Sequence, residues 1–356
     1  MSSEFGKYIK VSVFGQSHSN GIGVLIDGLP AGEVIDPVRL QAFMDRRRPG
    51  DHVSSTKRRE ADQVQVLSGL KNSVTCGAPL CAVIENKDQR SQDYRAIVDI
   101  PRPGHADYTA YVKYKGYNDV SGGGHFSGRL TAPLCIAGGI ALQILERRGV
   151  VIKAHIVQIG SVKGPCYDPV SLSGKPMEGE LLTPEMEQEI FSAAESRDSV
   201  GGVIECGILG LPAGLGDPMA EGMESILAAA LFGIPAVKGV EFGAGFQAAA
   251  MRGSQNNDAF YMEKGQVRTK TNHAGGILGG ITNGMPLIFR IAVKPTPSIG
   301  IQQDSVSLRD GVDQTLTVEG RHDSCIVPRA VPVAEAVAAI TIFDRMEGEG
   351  KLLKNN

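Results

Sequence analysis

The sequence predicts a single domain of mixed α/β class, and three observations carry that reading. Short β-branched runs alternate with segments whose apolar residues recur at helical spacing. The stretch GIGVLIDGLPAG (21–32) returns as GGVIECGILGLPAGLG (201–216). Each copy is an aliphatic strand followed by a Gly-Leu-Pro-Ala-Gly turn and then a helix, an internal pseudo-repeat. No stretch of linker composition separates the halves, so residues 1–356 are expected to form one domain.

The elements follow in chain order. Val11 and Val13, then Val24 and Ile26, mark two strands joined by a polar turn that carries Ser17 and His18. Asp36 is placed to cap a helix running to Arg48, with Pro37 in its first turn and Val38, Leu40, Phe43 and Met44 on its apolar face. Strand-rich sequence follows, and then a polar stretch from Lys87 to Gly124 that is too long for an ordinary connection. That stretch reads as a functional or mobile loop, as does 46–59. Thr131 to Arg148 is apolar nearly all round and reads as a core helix. VIKAHIVQIG is a strand, Cys166 to Gly179 a loop, and Pro184 to Ser196 an acidic helix capped by Thr183. A helix from about Met219 to Phe232 and another over VPRAVPVAEAVAAITIFDRM complete the second half.

Composition excludes several function classes. The 42% apolar and 21% charged fractions are ordinary, but 45 glycines are roughly twice the typical ~7% share, so glycine positions carry information. A net charge of -3 with interspersed signs, 5% aromatics and no tryptophan offer nothing to nucleic acid or an anionic membrane. The apolar stretches 132–145 and 226–237 fall short of the roughly 20 residues a bilayer span needs. Six scattered cysteines lack metal-pair spacing, and MSSEFGKYIK has no apolar signal core. No metal is expected, and free thiols in a reducing cytoplasm are.

Five short segments concentrate the chemistry. RRRPG with Arg58 and Arg59 gathers guanidiniums suited to carboxylate or phosphate. IPRPGHADYTAYVKY pins Arg102 and His105 between prolines, and SGGGHFSGR places three glycines, His125, Ser127 and Arg129 just before the core helix. IAVKPTPSIG offers Lys294, Thr296 and Ser298, and EGRHDSC offers Arg321, His322 and Asp323. Together they describe a phosphorylated small molecule held by arginines and histidines on glycine-rich loops.

Taken in order from Phe5 to Met346, GQSHS, RRRPG, RPGHADY with KY, GGG-x-x-S-x-R-x-TAP, NHAGGILGG-x-TNG leading to KPTPSI, and GRHD-x-C-x-VPRAVPVAEA resemble the chorismate synthase family. The resemblance implies a β-α-β sandwich assembled as a homotetramer. It also implies an anti 1,4-elimination of phosphate from 5-enolpyruvylshikimate 3-phosphate, giving chorismate at the end of the shikimate pathway. Reduced FMN is required without net redox change.

Carried over by position, His18 would protonate the departing phosphate and His105 would keep the reduced flavin in its working protonation state. Asp323 would assist the flavin in removing the ring proton, with Ser17 and Ser127 as a proton relay. Arg46, Arg47, Arg48, Arg102, Arg129 and Arg321 would grip the substrate's anionic groups. FMN would lie against His125, Phe126, Ser127, Ala236, Asn272, Ala274, Gly279, Lys294, Pro295, Thr296, Pro297, Ser298 and Arg321. NADPH, as a reductant, would meet Arg47, and an external flavin reductase is the other route to reduced flavin. Three departures stand out: GGGHFSGR for the family's usual GGGRSSAR, GQSHS for GESHG, and Val53 where arginine is frequent. His125 is therefore expected to act as a pH-dependent substitute for an arginine beside the flavin. Two rival readings are a flavin-dependent oxidoreductase with true NAD(P)H turnover and a non-catalytic polyanion-binding protein.

Overall fold

A computed structural model describes residues 3–48, 62–86, 99–172, 182–318 and 323–349. Two antiparallel five-stranded sheets organise them. The first runs, in spatial order, Glu4–Phe5, Lys10–Gly15, Gly21–Asp27, Leu80–Glu85, Gln65–Ser68. The second runs Val237–Phe242, Leu287–Val293, Gly202–Leu209, Val151–Ile159, Val162–Lys163.

The pseudo-repeat is visible in this arrangement, because Gly21–Asp27 and Gly202–Leu209 are each the central strand of their sheet. Each ends in the same turn. Gly28 and Gly210, the first glycines of the two Gly-Leu-Pro-Ala-Gly turns, have φ of +88° and +81°. A Cβ there would lie 2.2 Å from the Tyr8 carbonyl oxygen in one copy and 2.0 Å from that of Gly149 in the other. Only glycine satisfies both the left-handed backbone and the close approach.

Period-two burial turns Ile22, Val24 and Ile26 inward from the first sheet and Ile204, Cys206 and Ile208 inward from the second. Between the sheets lie the core helix Thr131–Arg147, which packs on the first sheet, and the terminal helix Val327–Glu349, which packs on the second and on the core helix. One apolar core links sheets and helices, and the fold is a β-α-β sandwich. The segment Gly128–Arg147 has the length and apolarity to cross a membrane, but 83% of its most apolar window is buried inside the protein.

The helix ends follow the sequence closely. Asp36 accepts from the amides of Val38 and Arg39 to cap Pro37–Arg47, and Thr183 accepts from Met186 to cap Pro184–Glu195. Met223–Phe232 begins after a short 3-10 turn over Met219–Glu221, slightly later than expected. The stretch 87–124 departs further from the expected loop. Residues 87–98 lie outside the described residues, but Asp107–Tyr114 is a helix that buries Ala110 and Asp107. The prolines and glycine before it suggested irregular backbone, and a helix with so small a buried face leaves little periodic signal.

Candidate active site

The Ser17–His18 turn and the glycine triplet are built against each other. The Ser17 amide donates to the Gly124 carbonyl at 3.1 Å, and the Gln16 amide and carbonyl both bond the Ser19 hydroxyl. All three glycines have positive φ. A Cβ on Gly122 would lie 2.1 Å from Cε1 and Nδ1 of His18 and 2.8 Å from the Ser17 hydroxyl oxygen. A Cβ on Gly123 would lie 3.3 Å from Cε1 and Nε2 of His105 and 3.7 Å from Cβ of Ser127. Adjacent glycines thus carry the two histidines, one on each, with a serine beside each ring. The Ser17 hydroxyl is buried with no hydrogen-bond partner among the described residues, as a group reserved for a ligand or a transferable proton would be.

His105 is oriented by its own helix. Its Nδ1–H donates to Asp107 Oδ1 at 2.5 Å, which leaves Nε2 facing the glycine triplet. Arg102 closes the group, donating from Nε to Asp107 Oδ2 at 2.7 Å and from Nη2 to Oδ1 at 2.8 Å. Burial opposes ionisation of Asp107, but these bonds from Arg102 and His105 outweigh it and hold the carboxyl well below the usual carboxylate range.

From there contacts lead into the Lys294–Ser298 segment. Arg102 Nη1 donates to the Ser298 hydroxyl at 3.1 Å, Lys294 Nζ to the Gly104 carbonyl at 2.7 Å, and the Thr296 hydroxyl to the Asp323 carbonyl at 2.9 Å. Ala236 sits beside them with φ of +72°, a strained value for alanine, and its carbonyl accepts the Lys294 amide. Burial, and then the neighbouring charge of Lys238, push the Lys294 ammonium below its ordinary range. An anion beside Lys294 would offset that charge, and with the Thr296 and Ser298 hydroxyls in the same segment this donor set fits a phosphate-bearing cofactor.

The arginines form a second group behind the glycine loop. Arg47 and Arg129 both reach Asp62: Arg47 Nη2 donates to Oδ2 at 2.5 Å, and Arg129 Nη1 pairs with Oδ1. All three residues are buried. Arg47 also donates to the Thr131 hydroxyl at 3.3 Å. Arg329 links this group to the acid, donating from Nε to the Arg47 carbonyl at 3.1 Å and from Nη1 to Asp323 Oδ2 at 2.6 Å. Arg46 makes a two-point contact with buried Glu335, and Arg48 pairs with Asp45 at 3.4 Å.

Comparison with known proteins decides the family. The family model described as chorismate synthase matches residues 9–346. The chain belongs to the chorismate synthase family. A chorismate synthase from Thermococcus gammatolerans is 48% identical over 344 residues, covering 96% of each chain, and one from Dehalococcoides mccartyi is 45% identical over 350 residues, covering 97% of this chain and 96% of its own. A crystal structure of chorismate synthase superposes with a TM-score of 0.73 at 25% identity, covering 97% of this chain and 94% of that one.

Set against the chorismate synthase motifs, the fold brings His18, Ser17, His105, Ser127, Arg102, Ala236, Lys294, Thr296, Ser298 and Asp323 into one connected network. Pro295 and Pro297 belong to the same segment. Three positions lie elsewhere. Gly279 is in the tight turn between Ile277–Leu278 and Ile281–Thr282, whose Gly280 packs on Asp217 and Gly222. The nearby Gly216 amide meets Glu349, about 30 Å along the terminal helix from Arg329 at 1.5 Å per residue. Asn272 donates to the Pro169 and Pro286 carbonyls and accepts from the Gly276 amide, so its amide is committed to backbone. Ala274 donates its amide to Asp258 in the same region. Arg321 and His322, with Val53, Arg58 and Arg59, lie outside the described residues.

His125 has a different setting from the one expected. Its Nδ1–H donates to the Gly15 carbonyl at 2.8 Å, and its Nε2 accepts from the Ser3 hydroxyl at 2.6 Å. Both ring nitrogens therefore pin the glycine loop to the first sheet. Phe126 is half in solvent and tilts against Tyr114, 6.3 Å between ring centroids. Asp62 carries no local sequence signal of a site, whereas Arg329 and Glu335 lie within the VPRAVPVAEA motif, which does not single them out. Asp107 had one, since a carboxylate two residues after a pinned histidine is well placed to orient it.

Proposed function

We propose that this chain is a chorismate synthase that eliminates phosphate and a ring proton from 5-enolpyruvylshikimate 3-phosphate to give chorismate. The observation that carries the residue roles is the seating of His18 and His105 on adjacent glycines, each beside a serine. Two proton-transfer groups within one small site match a reaction that must protonate a departing phosphate while a second proton is managed nearby.

In this reading Arg47 and Arg129 grip the substrate's anionic groups, with Arg102 closing the His105 side of the site. His18 delivers a proton to the leaving phosphate, and the buried Ser17 hydroxyl relays it. Asp323 receives the ring proton, with its carboxylate held by Arg329. Lys294, Thr296 and Ser298 would hold reduced FMN at its phosphate, and Ser127 would lie along its body. Bound there, the reduced flavin supplies reversible electron donation, so it is needed without net redox change. His105 Nε2, with Arg102 Nη2 at 3.4 Å, holds or returns a proton on the flavin side, and Asp107 fixes the tautomer in which this nitrogen carries no hydrogen. Asn272, Ala274 and Gly279 lie away from these groups within one chain.

A single domain is the reading for this chain, since one apolar core from Ile9 to Phe343 joins both sheets and the helices. A homotetramer would cover exposed apolar side chains such as Phe246, Phe260 and Met262. Six free thiols suit a reducing cytoplasm. NADPH, or an external reductase, would supply the reduced flavin. Arg47, the residue expected to meet NADPH, is the same arginine assigned here to the substrate's anionic groups, and it is paired with Asp62.

The test is phosphate release and chorismate formation from 5-enolpyruvylshikimate 3-phosphate by the purified chain with reduced FMN. His18→Ala and His105→Ala should each lower kcat by roughly 10²–10⁴-fold. Failure of the unmodified chain to form chorismate overturns the proposal.

A further inference from the structure

Asp62 is a buried carboxylate that the reaction scheme above leaves without a task. Its side chain is fully enclosed, and its two oxygens are divided between two guanidiniums, Oδ2 to Arg47 and Oδ1 to Arg129. Those guanidiniums come from distant parts of the chain, one at the end of the helix Pro37–Arg47 and the other just ahead of the core helix. Arg47 is otherwise steadied by Thr131, and Arg129 by Asn86 at 3.3 Å.

A structural ion pair would need one partner. A carboxylate whose two oxygens each take a different guanidinium does something more, because it sets the distance and relative tilt of the two forks. Two buried cations at close range also repel each other, and a shared carboxylate is the least bulky way to keep both ionised side by side. The site pair that results is a fork of two arginines braced from behind. Arg129 continues directly into the glycine loop, its amide bonded to the Ser127 hydroxyl at 3.3 Å. Arg47 connects through its carbonyl and Arg329 to Asp323. The brace therefore stands between the two groups of proton-handling residues.

We infer that Asp62 is a positioning residue that holds Arg47 and Arg129 at the spacing required to receive the substrate's anionic groups. It touches neither substrate nor flavin and acts only through the two arginines. The inference rests on the chorismate synthase reading and deepens it by assigning the residue that shapes the substrate grip.

The experiment compares the full chain with Asp62→Asn, which keeps the shape and removes the charge, and with Asp62→Glu, which keeps the charge and alters the spacing. Steady-state kinetics with reduced FMN should show KM for 5-enolpyruvylshikimate 3-phosphate rising at least about tenfold in Asp62→Asn, with kcat within about threefold of the unmodified chain. Asp62→Glu should shift KM in the same direction by a smaller factor, and it carries the test if Asp62→Asn does not fold. A melting temperature that falls while KM stays unchanged in a folded variant means Asp62 is only a structural counter-ion, and overturns the inference. So does a loss confined to kcat. Turnover by the unmodified chain is measured alongside: its absence defeats the functional reading, whereas turnover with unchanged KM in the variants defeats the Asp62 inference alone.

Discussion

Replacing Gly122 by alanine adds one methyl group at the point where the glycine loop meets His18. The backbone there has φ of +60° and ψ of 21°, a left-handed conformation that costs an alanine about 1–2 kcal/mol. The new Cβ would stand 2.1 Å from two atoms of the His18 ring and 2.8 Å from the Ser17 hydroxyl. Carbon contacts relax near 3.5–4.0 Å, so the ring or the loop must retreat by about 1.5 Å. A displacement of about 1 Å in a proton-transfer group costs on the order of 10²-fold in rate, close to 3 kcal/mol of barrier. Gly122→Ala is therefore expected to fold with a melting temperature lowered by several degrees and to lose about 10²-fold in kcat/KM. Circular dichroism melting and phosphate release with reduced FMN measure the two effects. Activity within threefold of the unmodified chain, in a folded variant, would refute the placement of His18 as the acid.

Two other expectations are independent of that one. Asp107→Asn keeps the shape but no longer fixes the His105 tautomer, and kcat should fall on the order of 10²-fold. The Asp107 carboxyl is depressed in the folded state, so the stability it contributes is present above the ordinary aspartate range near pH ~3.9 and lost as pH falls towards the folded value. Unfolding measured from pH 6 down to pH 2 should show a shallower acid loss in Asp107→Asn than in the unmodified chain, and parallel curves would contradict the pairing. Asp344 accepts the amides of Lys7, Tyr8 and Ile9 and so ties the start of the first sheet to the terminal helix. Asp344→Ala should lower stability by about 2 kcal/mol in urea titration and leave kcat unchanged, and a loss of kcat would tie this end of the helix to the chemistry.

Much of the site was legible in the sequence because its parts are local. Ser17 and His18 sit on a turn between two strands, His105 lies among prolines, and Ser127 and Arg129 follow the glycine triplet, each within a few residues of its structural cause. The repeated Gly-Leu-Pro-Ala-Gly turn was readable for the same reason, since one backbone requirement at Gly28 and Gly210 writes the same residues twice. Asp62 was not legible, because its meaning lies in meeting two arginines from other elements. For His125 identity alone spoke of something else: a histidine where relatives carry arginine suggested a substitute cation, and in the structure its nitrogens meet Gly15 and Ser3. Motif matching likewise grouped Gly279, Asn272 and Ala274 with Lys294, although the fold places them apart within one chain.

The central claim is that these residues support an elimination in which reduced flavin is required but not consumed. The most direct measurement is an anaerobic count of chorismate formed per flavin, with photoreduced FMN, excess 5-enolpyruvylshikimate 3-phosphate and no nicotinamide. Many turnovers per flavin, with the flavin still reduced at the end, are predicted. Product limited to one equivalent per flavin, or formed only when NAD(P)H is consumed in step with it, would contradict the account.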